Sequence, residues 1–361
     1  MARTLVCVVC ELRAARLTFD GFNKHLLEPN RADLLLCIAE RDGECRDNDY
    51  ARAARYARVY DELPDYTPLF DRYAKRWGAP PSADWRTLAR IGRHWLGGLR
   101  TERSIAAFAA RFARDLRRTD YASFAERLRC LGGTVRRFAT GRGAFDQSGA
   151  AGVVLAFRQR LLDMITSLGL LERYDRFIIT RSDYFYAAPH PSCDQLDPGF
   201  AWLPEGEDYR GLCDRHWILS REHVEPCLDL LGPILKDPDA LYREMQHDDR
   251  WNIEKYIRHV WTKRSIPIRR YPRTMFLVRD ADDRSNHSIG AFNREIGMVV
   301  KYKSEFEDAR ANLDAFRDAS CWSAWNRDLQ VAPSPTPATV TVTVSATPPA
   351  PATAAAGLTS H

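Results

Sequence analysis

The stretch YDRFIITRSDYFY (residues 174–186) decides how the chain is organised, because in it a buried strand runs directly into charged residues. Phe177–Thr180 carries no charge and has the pattern of a strand that is covered on both faces. Two similar runs, Thr4–Cys10 and Ala32–Ala39, precede it, with helical patterns between them. This alternation predicts an α/β fold in which an open, mostly parallel sheet is flanked by helices.

Apolar periodicity places the other elements along the chain. In the first half it predicts helices at Thr18–Leu27, Asp49–Tyr60, Pro68–Trp77 and Leu155–Leu171. In the second half it predicts a strand at Trp217–Leu219, helices near 221–235 and 250–263, strands near 266–278 and 298–301, and a helix from Ser304.

The composition is typical of a soluble globular protein. Of the 361 residues, 45% are apolar and 28% are charged, which is enough for a sizeable core. No apolar run approaches the ~18 residues that a membrane-spanning helix needs, which excludes an integral helical membrane protein. A secretory leader is not predicted, because Glu11 directly follows the first apolar run. The nine scattered cysteines, Cys7 and Cys10 among them, indicate reduced core thiols, so we expect a cytoplasmic protein.

Positive charge is concentrated in one segment. Residues 86–142 contain 14 arginines and four acidic residues, whereas the whole chain has a net charge of only +5. Phe108 and Phe112 lie on an apolar stripe with most arginines off it, which predicts that this basic module is a helical insertion. Val331–His361 holds six prolines and no charged residue, so we expect a disordered tail. Residues 1–330 are therefore predicted to form one domain that carries the module.

The charged residues after Phe177–Thr180 are candidates for ligand binding. In open α/β sheets, ligands bind beyond the carboxyl ends of the strands, which is where Arg181 and Asp183 are expected. The two residue types suit a diphosphate, since Asp183 can hold a divalent cation and Arg181 can bind phosphate oxygens with two N–H groups. The alternative is that Asp183 only caps the following turn.

Several motifs resemble those of a known family. They are ITRSDYFY (179–186), PEGEDYRGLCDRHWILS (204–220), WNIEKYI (251–257) and VKYKSEFEDA (300–309). Together with the opening Glu11-Leu12-Arg13, they are similar to a family of glycosyltransferases with the glycosyltransferase-A (GT-A) fold that occurs in large DNA viruses, algae and bacteria. Some members of that family lie among capsule and lipopolysaccharide synthesis proteins. The resemblance covers about residues 3–75 and 150–317 and leaves out the basic module and the tail.

The resemblance implies a Rossmann-like nucleotide-binding half followed by an acceptor half. The implied activity moves a sugar from a nucleotide-sugar donor to a hydroxyl acceptor, such as a glycan in polysaccharide biosynthesis. In that fold an Asp-x-Asp motif binds a divalent cation, Mn²⁺ or Mg²⁺, together with the donor diphosphate. Here the matching stretch is Arg181-Ser182-Asp183, in which arginine stands at the place of the first acid and would supply part of the positive charge.

The resemblance also implies roles for individual residues. The candidates for donor binding are Arg13, Arg181, Asp183 and Lys301, and the candidates for the metal are Asp183 and His287. The catalytic candidates are carboxylates, because the attacking hydroxyl must lose a proton; they are Asp208, Asp214 and Glu254. Taken from the residues alone, loop 205–214 is typical of a solvated acidic loop and His287 of a polar surface residue, and Glu254 can be a first-turn residue that only complements the helix dipole.

Two other classes of protein also agree with the sequence. Because the first acid of the motif is missing, one alternative is a catalytically inactive scaffold with the same fold. The other is a protein whose basic module binds nucleic acid or an anionic membrane surface through phosphate neutralisation. The module has no helix-turn-helix, zinc-finger or RRM signature, and its aromatic residues lie on the apolar stripe, which disfavours nucleic acid.

Overall fold

The structure is a computed structural model that describes most of the predicted domain. The described residues are 2–40, 48–61, 63, 66–78, 150–206, 208–245, 252–280, 290–318 and 320–325. The predicted helical module (86–142) and the predicted tail (331–361) lie outside these ranges, as does His287. What the sequence predicts for them therefore stays a prediction, and so do the domain boundaries.

Strands and helices alternate through the described residues. The strands are β1 (Thr4–Glu11), β2 (Asp33–Glu40), β3 (Tyr56–Asp61), β4 (Arg176–Thr180), β5 (Tyr184–Tyr186), β6 (Ala201–Pro204), β7 (Trp217–Ser220), β8 (Ile268–Tyr271), β9 (Met275–Arg279), β10 (Ala291–Asn293) and β11 (Met298–Val300). The main helices are α1 (Ala15–Phe22), α2 (Glu28–Asn30), α3 (Asp49–Ala53), α4 (Thr67–Arg76), α5 (Ala150–Ser167), α6 (Arg221–Leu228), α7 (Leu231–Lys236), α8 (Pro238–Met245), α9 (Ile253–Lys263) and α10 (Lys303–Leu313). A π-helical stretch, Asn23–Leu27, joins α1 to α2.

The described strands form two sheets. The central sheet has seven strands in the order β3-β2-β1-β4-β7-β6-β8. Its first four strands are parallel to one another, β7 runs antiparallel to β4 and β6, and β8 is parallel to β6. The second sheet is antiparallel and has the order β10-β11-β9-β5. The predicted α/β fold with a mostly parallel sheet flanked by helices is therefore confirmed.

Both faces of the central sheet are buried. Alternate residues of β1 enter two separate apolar clusters: Cys7 and Val9 pack in the first, and Val6 and Val8 pack in the second. The first cluster includes residues of α5 and α9, and the second includes residues of α1. Burial on two faces is the reason for the uninterrupted apolar runs that predict these strands. Within the described ranges, no helix is both long and apolar enough to cross a bilayer.

The predicted helix at Asp49–Tyr60 is wrong in its second half. Helix α3 ends early, and β3 follows it as an edge strand that pairs in parallel with β2. Tyr56 and Tyr60 are four residues apart, a spacing that places them on one face of a strand as readily as on one face of a helix. In the sheet, Tyr56 packs edge-on against Tyr174 and Tyr60 against Phe157. Backbone pairing with β2 thus decides between two structures that the side-chain pattern allows equally.

Candidate active site

Several of the predicted site residues lie at one edge of the central sheet, where β1 and β4 end. Arg13 follows β1, and Arg181-Ser182-Asp183 follows β4. Strand β7 is antiparallel to β4, with Trp217 opposite Ile179, so Asp214 before β7 lies at the same edge. The carboxyl ends of parallel strands are where open α/β sheets bind their ligands.

The second sheet brings two more cations to this edge. The backbone N–H of Val278 in β9 donates to the carbonyl oxygen of Asp183 at 2.9 Å, which sets Arg279 beside Asp183. Strand β11 pairs with β9, and the N–H of Lys301 donates to the carbonyl oxygen of Leu277 at 2.9 Å. Lys301, a predicted site residue, and Arg279, which the sequence does not single out, therefore reach the same place.

Asp183 is held by two guanidinium groups. Arg181 donates from Nε and Nη2 to the two carboxylate oxygens at 2.8 and 2.7 Å, the two-pronged geometry of a strong charge-assisted pair. Arg279 donates from Nη1 to Oδ2 of the same carboxylate. The side chains of Asp183 and Arg279 are only 2% and 1% exposed. Burial alone would raise the pKa of Asp183, but Arg181 and Arg279 lower this pKa well below its usual range, so the carboxylate is ionised.

A strained turn brings Arg13 to the end of β4. Cys10 and Ala14 have φ angles of 74° and 50°, in the left-handed region that residues with a side chain rarely adopt. Ser182 fastens the turn: its hydroxyl accepts from the N–H of Arg13 at 2.8 Å and donates to the Arg13 carbonyl oxygen at 3.1 Å. The side chain of Arg13 pairs with Glu11. Backbone strain that neighbouring contacts hold in place is typical of functional sites.

Cys10 is a neutral thiol at the centre of this edge. Burial raises its pKa, although Arg158 and Arg181 act in the opposite direction. Burial also raises the pKa of Cys7 well above its ordinary value. Neither residue of the CxxC pair is therefore a thiolate, and both are free cysteines, as predicted for core thiols.

We define the cationic cradle as Asp183 with the four cations around it, which are Arg13, Arg181, Arg279 and Lys301. Burial, followed by the charges of Arg181 and Arg279, lowers the pKa of Lys301 to about 7. Arg13 acts on the same amine, so the four cations share one electrostatic environment. Within the described ranges, the ion pairs of these four residues are with two carboxylates, Asp183 and Glu11, so the cations outnumber the carboxylates that pair with them. Such an environment favours an anionic ligand.

Glu254 supplies a carboxyl group in the first turn of α9. Asn252 caps this helix, because its side chain accepts from the N–H of Lys255 at 2.8 Å. The loop after β6 packs against the turn, and the N–H of Leu212 donates to the carbonyl oxygen of Glu254 at 3.0 Å. A Cβ atom on Gly211 would lie 2.0 Å from the carbonyl carbon of Glu254, so the approach requires glycine.

The proton affinity of Glu254 suits acid–base chemistry. Burial, with a further contribution from the charge of Asp214, raises the pKa of Glu254 to about 8. A carboxyl group with a pKa near neutrality can accept and release a proton in the cell, as a general base must. The charge of Asp214 also acts on Arg181, which links the carboxyl groups to the cationic cradle.

Asp214 is held from its backbone by a buried arginine. Arg158 in α5 is 2% exposed, donates to the Asp214 carbonyl oxygen and stacks on Trp217, with 4.5 Å between its Cζ and the ring centroid. Nε of Arg215 lies 3.9 Å from Oδ1 of Asp214, and Nη2 of Arg215 pairs with the buried Glu305 at 2.6 Å. These contacts position Asp214 and leave its side chain 12% exposed.

Asp208 lies in the loop between β6 and β7 and is bonded to this loop and to β8. Arg270 contacts its carboxylate oxygens at 3.0 and 2.7 Å, and the N–H of Cys213 donates to Oδ1 at 2.9 Å. Tyr209 and Arg210, which follow it, have positive φ angles of 48° and 66°. The contacts of Asp208 therefore maintain a strained loop, and the catalytic role predicted for it stays a prediction.

The carboxylate of Asp183 is already paired and does not offer a free oxygen to a divalent cation. The described ranges contain no group of three or more histidine, cysteine, aspartate or glutamate side chains that could hold a cation by protein ligands alone, and a cation that bridges a diphosphate takes further ligands from phosphate oxygens and water. Both oxygens of Asp183 are bonded to Arg181 and Arg279. The metal-ligand role predicted for His287 concerns a residue outside the described ranges and stays a prediction.

Two of the buried cations, Arg279 and Arg158, are not among the candidate residues that the sequence indicates. Arg279 directly follows the apolar run Met275–Val278, so the strand-end rule that points to Arg181 would also have pointed to it. Arg158 interrupts an apolar segment of α5, and an arginine in such a segment indicates a buried cation with a dedicated partner.

Comparisons with known proteins yield a structural likeness but no family. No protein-family model matches the chain, and no curated protein matches it in sequence. Among solved structures, the chain is similar to the crystal structure of mouse xyloside xylosyltransferase 1 in its apo form, with a TM-score of 0.34 and 8% sequence identity. The match covers 76% of this chain and 86% of that chain. Membership of the family that the motifs resemble therefore stays a prediction.

Proposed function

We propose that the chain is a glycosyltransferase that moves a sugar from a nucleotide-sugar donor to a hydroxyl group of an acceptor, such as a glycan. The observation that carries the proposal is that Asp214 lies at the same sheet edge as the cationic cradle and acts electrostatically on Arg181 of the cradle and on Glu254, a carboxyl group with a pKa of about 8. The cradle suits the diphosphate of the donor. The carboxyl group suits removal of a proton from the acceptor. The motif resemblance supports the same class of reaction.

In the proposed reaction, the acceptor oxygen forms a bond to the anomeric carbon while the bond from that carbon to the diphosphate oxygen breaks. The electron pair of the broken bond leaves with the nucleoside diphosphate, on which negative charge grows. The three arginines of the cradle stabilise this charge, and Lys301 adds to them when its amine is protonated, because fixed charges act more strongly in a largely buried site than in water. The proton of the acceptor hydroxyl passes to the ionised carboxylate of Glu254.

In this proposal Asp214 raises the pKa of the base, Glu254, and is not itself the base. Its negative charge adds to the effect of burial on Glu254, and together they bring the pKa of that carboxyl to about 8. A base of this pKa takes a proton more readily than an ordinary carboxylate, provided that it is ionised. With donor and acceptor saturating, turnover is therefore expected to rise as the pH increases towards 8.

The test measures transfer and donor hydrolysis by the purified chain with UDP-, GDP- and dTDP-sugars, in EDTA and with added Mn²⁺. We expect one class of donor to be consumed. Glu254→Gln should lower turnover by about 100-fold or more and leave the donor Kd nearly unchanged, because the lost proton transfer occurs only in the transition state. Glu222→Gln is the matched control, since Glu222 is an exposed glutamate in the first turn of α6.

The outcomes separate the alternatives. Full turnover by Glu254→Gln on a consumed donor would show that Glu254 is not the base. A donor that binds but is never consumed would favour the inactive scaffold. Salt-dependent binding of nucleic acid, without binding of any nucleotide sugar, would favour the protein whose basic module binds nucleic acid.

A further inference from the structure

Building on the proposed function, we propose that the cationic cradle binds the donor diphosphate without a divalent cation, and that Asp183 is a positioning residue that orients Arg181 and Arg279. This assignment differs from the role that the motif resemblance implies for Asp183, which is to bind Mn²⁺ or Mg²⁺. Three features of the cradle support it.

The first feature is the occupancy of the Asp183 carboxylate. It accepts N–H groups from Arg181 on both oxygens and from Arg279 on Oδ2. A divalent cation at the same oxygens would displace a guanidinium group and add two positive charges beside two buried ones. Uncompensated buried charge is strongly unfavourable, so the pairing disfavours a cation there.

The second feature is a set of N–H groups of Arg279 that are unpaired among the described residues. Its Nη1 donates to Asp183 and to the carbonyl oxygen of Val278, whereas its Nε and Nη2 have no hydrogen-bond partner among the described residues. Buried N–H groups are nearly always paired in folded proteins, and a diphosphate offers several acceptor oxygens. The side chain of Arg181 is 20% exposed, so a ligand can reach Arg181 from solvent, whereas the side chain of Arg279 is 1% exposed.

The third feature is that the other cations are placed by the backbone. The backbone at Arg13 is held by two hydrogen bonds to Ser182 and its guanidinium group by Glu11, and the backbone at Lys301 is held by the bond from its N–H to Leu277. Charges fixed before the ligand arrives need little rearrangement when negative charge develops on a leaving group. Neutralisation of the departing diphosphate, which a metal ion often provides, can therefore come from these side chains.

The experiment is isothermal titration of the full chain with UDP, GDP, dTDP and inorganic pyrophosphate, first in EDTA and then with Mn²⁺. We expect binding in EDTA with an affinity that Mn²⁺ changes by no more than about twofold. Electron paramagnetic resonance of Mn²⁺ gives a second readout, and we expect no spectrum of a protein-bound ion at Asp183.

Variants test the positioning role of Asp183. In EDTA, Asp183→Asn should weaken diphosphate binding about tenfold, although removal of a negative charge by itself would strengthen the binding of an anion. Arg279→Lys should weaken it by a similar factor, because an ammonium group cannot reproduce the fork of N–H groups. Lys301→Gln should also weaken it and removes no buried counter-charge, so it tests the cradle even if Asp183→Asn does not fold. Asp175→Asn and Arg221→Lys, an exposed pair at the other end of β4, are the matched controls.

Each outcome bears on the assignment. Binding that requires Mn²⁺ and is lost in Asp183→Asn would overturn it and leave the proposed function standing. Tighter binding by a folded Asp183→Asn variant would overturn the positioning role. Pyrophosphate binding in EDTA without binding of any nucleotide would support the cation-free cradle and contradict the proposed function. No binding of any of the four anions, with or without Mn²⁺, would overturn both.

Discussion

The two ends of strand β4 carry similar charged pairs in opposite surroundings. Before the strand, Asp175 pairs with Arg221, and the two side chains are 41% and 40% exposed. After the strand, Asp183 pairs with Arg181 and Arg279 in a nearly dry environment. The starting end also has a cavity of about 280 Å³, which is lined by Asp33 and Tyr174 and by the exposed arginines Arg3, Arg31, Arg55 and Arg173.

Burial, rather than cavity size or the number of arginines, distinguishes a preorganised site from a basic surface. Exposed arginines stay hydrated, and their ion pairs contribute about 0–1 kcal/mol. Buried arginines require compensation, so their partners and positions are set before a ligand arrives. We therefore place the proposed chemistry at the carboxyl end of β4, and the contrast between the ends can be tested directly.

The largest effect on stability is expected at Asp183. Asp183→Asn removes the charge that compensates Arg181 and Arg279, and the loss of one partner from a buried ion pair costs about 3–5 kcal/mol. Urea unfolding in EDTA measures the free energy of unfolding. A loss below about 1 kcal/mol would show that the two guanidinium groups find other compensation.

The next effect concerns the pH dependence of stability at Glu254. Its pKa is about 8 in the folded chain and about 4.5 when unperturbed, so between these values the folded state binds a proton that the unfolded state does not. Below about pH 4.5 Glu254 is protonated in both states and does not lower the stability of the fold. As the pH rises from there to about 8, the free energy of unfolding falls by up to about 1.4 kcal/mol per pH unit. Relative to the parent, Glu254→Gln should become more stable as the pH increases through this window.

Urea unfolding at several pH values, with Glu222→Gln as the control, measures this difference. If the free energies of unfolding of Glu254→Gln and the parent differ by the same amount at every pH between about 4.5 and 8, Glu254 does not retain its proton in the folded state. Greater stability together with lost turnover would indicate that the site keeps an unfavourable carboxyl group for its chemistry.

A smaller effect is expected from Lys301. Its pKa of about 7 means that the amine is charged below that pH and neutral above it, in surroundings that contain Arg181, Arg279, Arg13 and Asp183. The affinity for a nucleotide sugar, whose diphosphate does not titrate in this range, should fall by up to about tenfold between pH 6 and pH 9. Lys301→Gln should flatten this dependence, and an unchanged slope would assign the dependence to another group.

The smallest effect is expected at the starting end of β4. Asp175→Asn removes an exposed charge that accepts from Arg221 and from the N–H of Arg3, and it should change the free energy of unfolding by no more than about 1 kcal/mol. The affinity for nucleoside diphosphates should stay the same. A stability loss as large as that of Asp183→Asn would mean that burial does not separate the two ends.

Much of the fold can be predicted from the sequence because the central strands are buried on both faces. Residues 4–10 of β1 are apolar at nearly every position, and β2 and β4 repeat this pattern, so no helix-like alternation competes with it. The edge strand β3 has only one packed face. Its spacing of Tyr56 and Tyr60 suits a strand and a helix equally, and pairing with β2 decides the outcome.

The amino-acid sequence alone predicts where the buried strands lie along the chain and that Arg181 and Asp183 follow one of them, because local patterns encode these features. Arg13 and the carboxylates are candidates through the resemblance of the motifs. Only the tertiary structure decided the partners. Arg279 lies 96 residues after Asp183 and reaches it through pairing between β9 and β5. Burial and Asp214 raise the pKa of Glu254 only once the loop after β6 packs against α9. Charge compensation and desolvation depend on distances in space, and these distances arise only when both sheets are assembled.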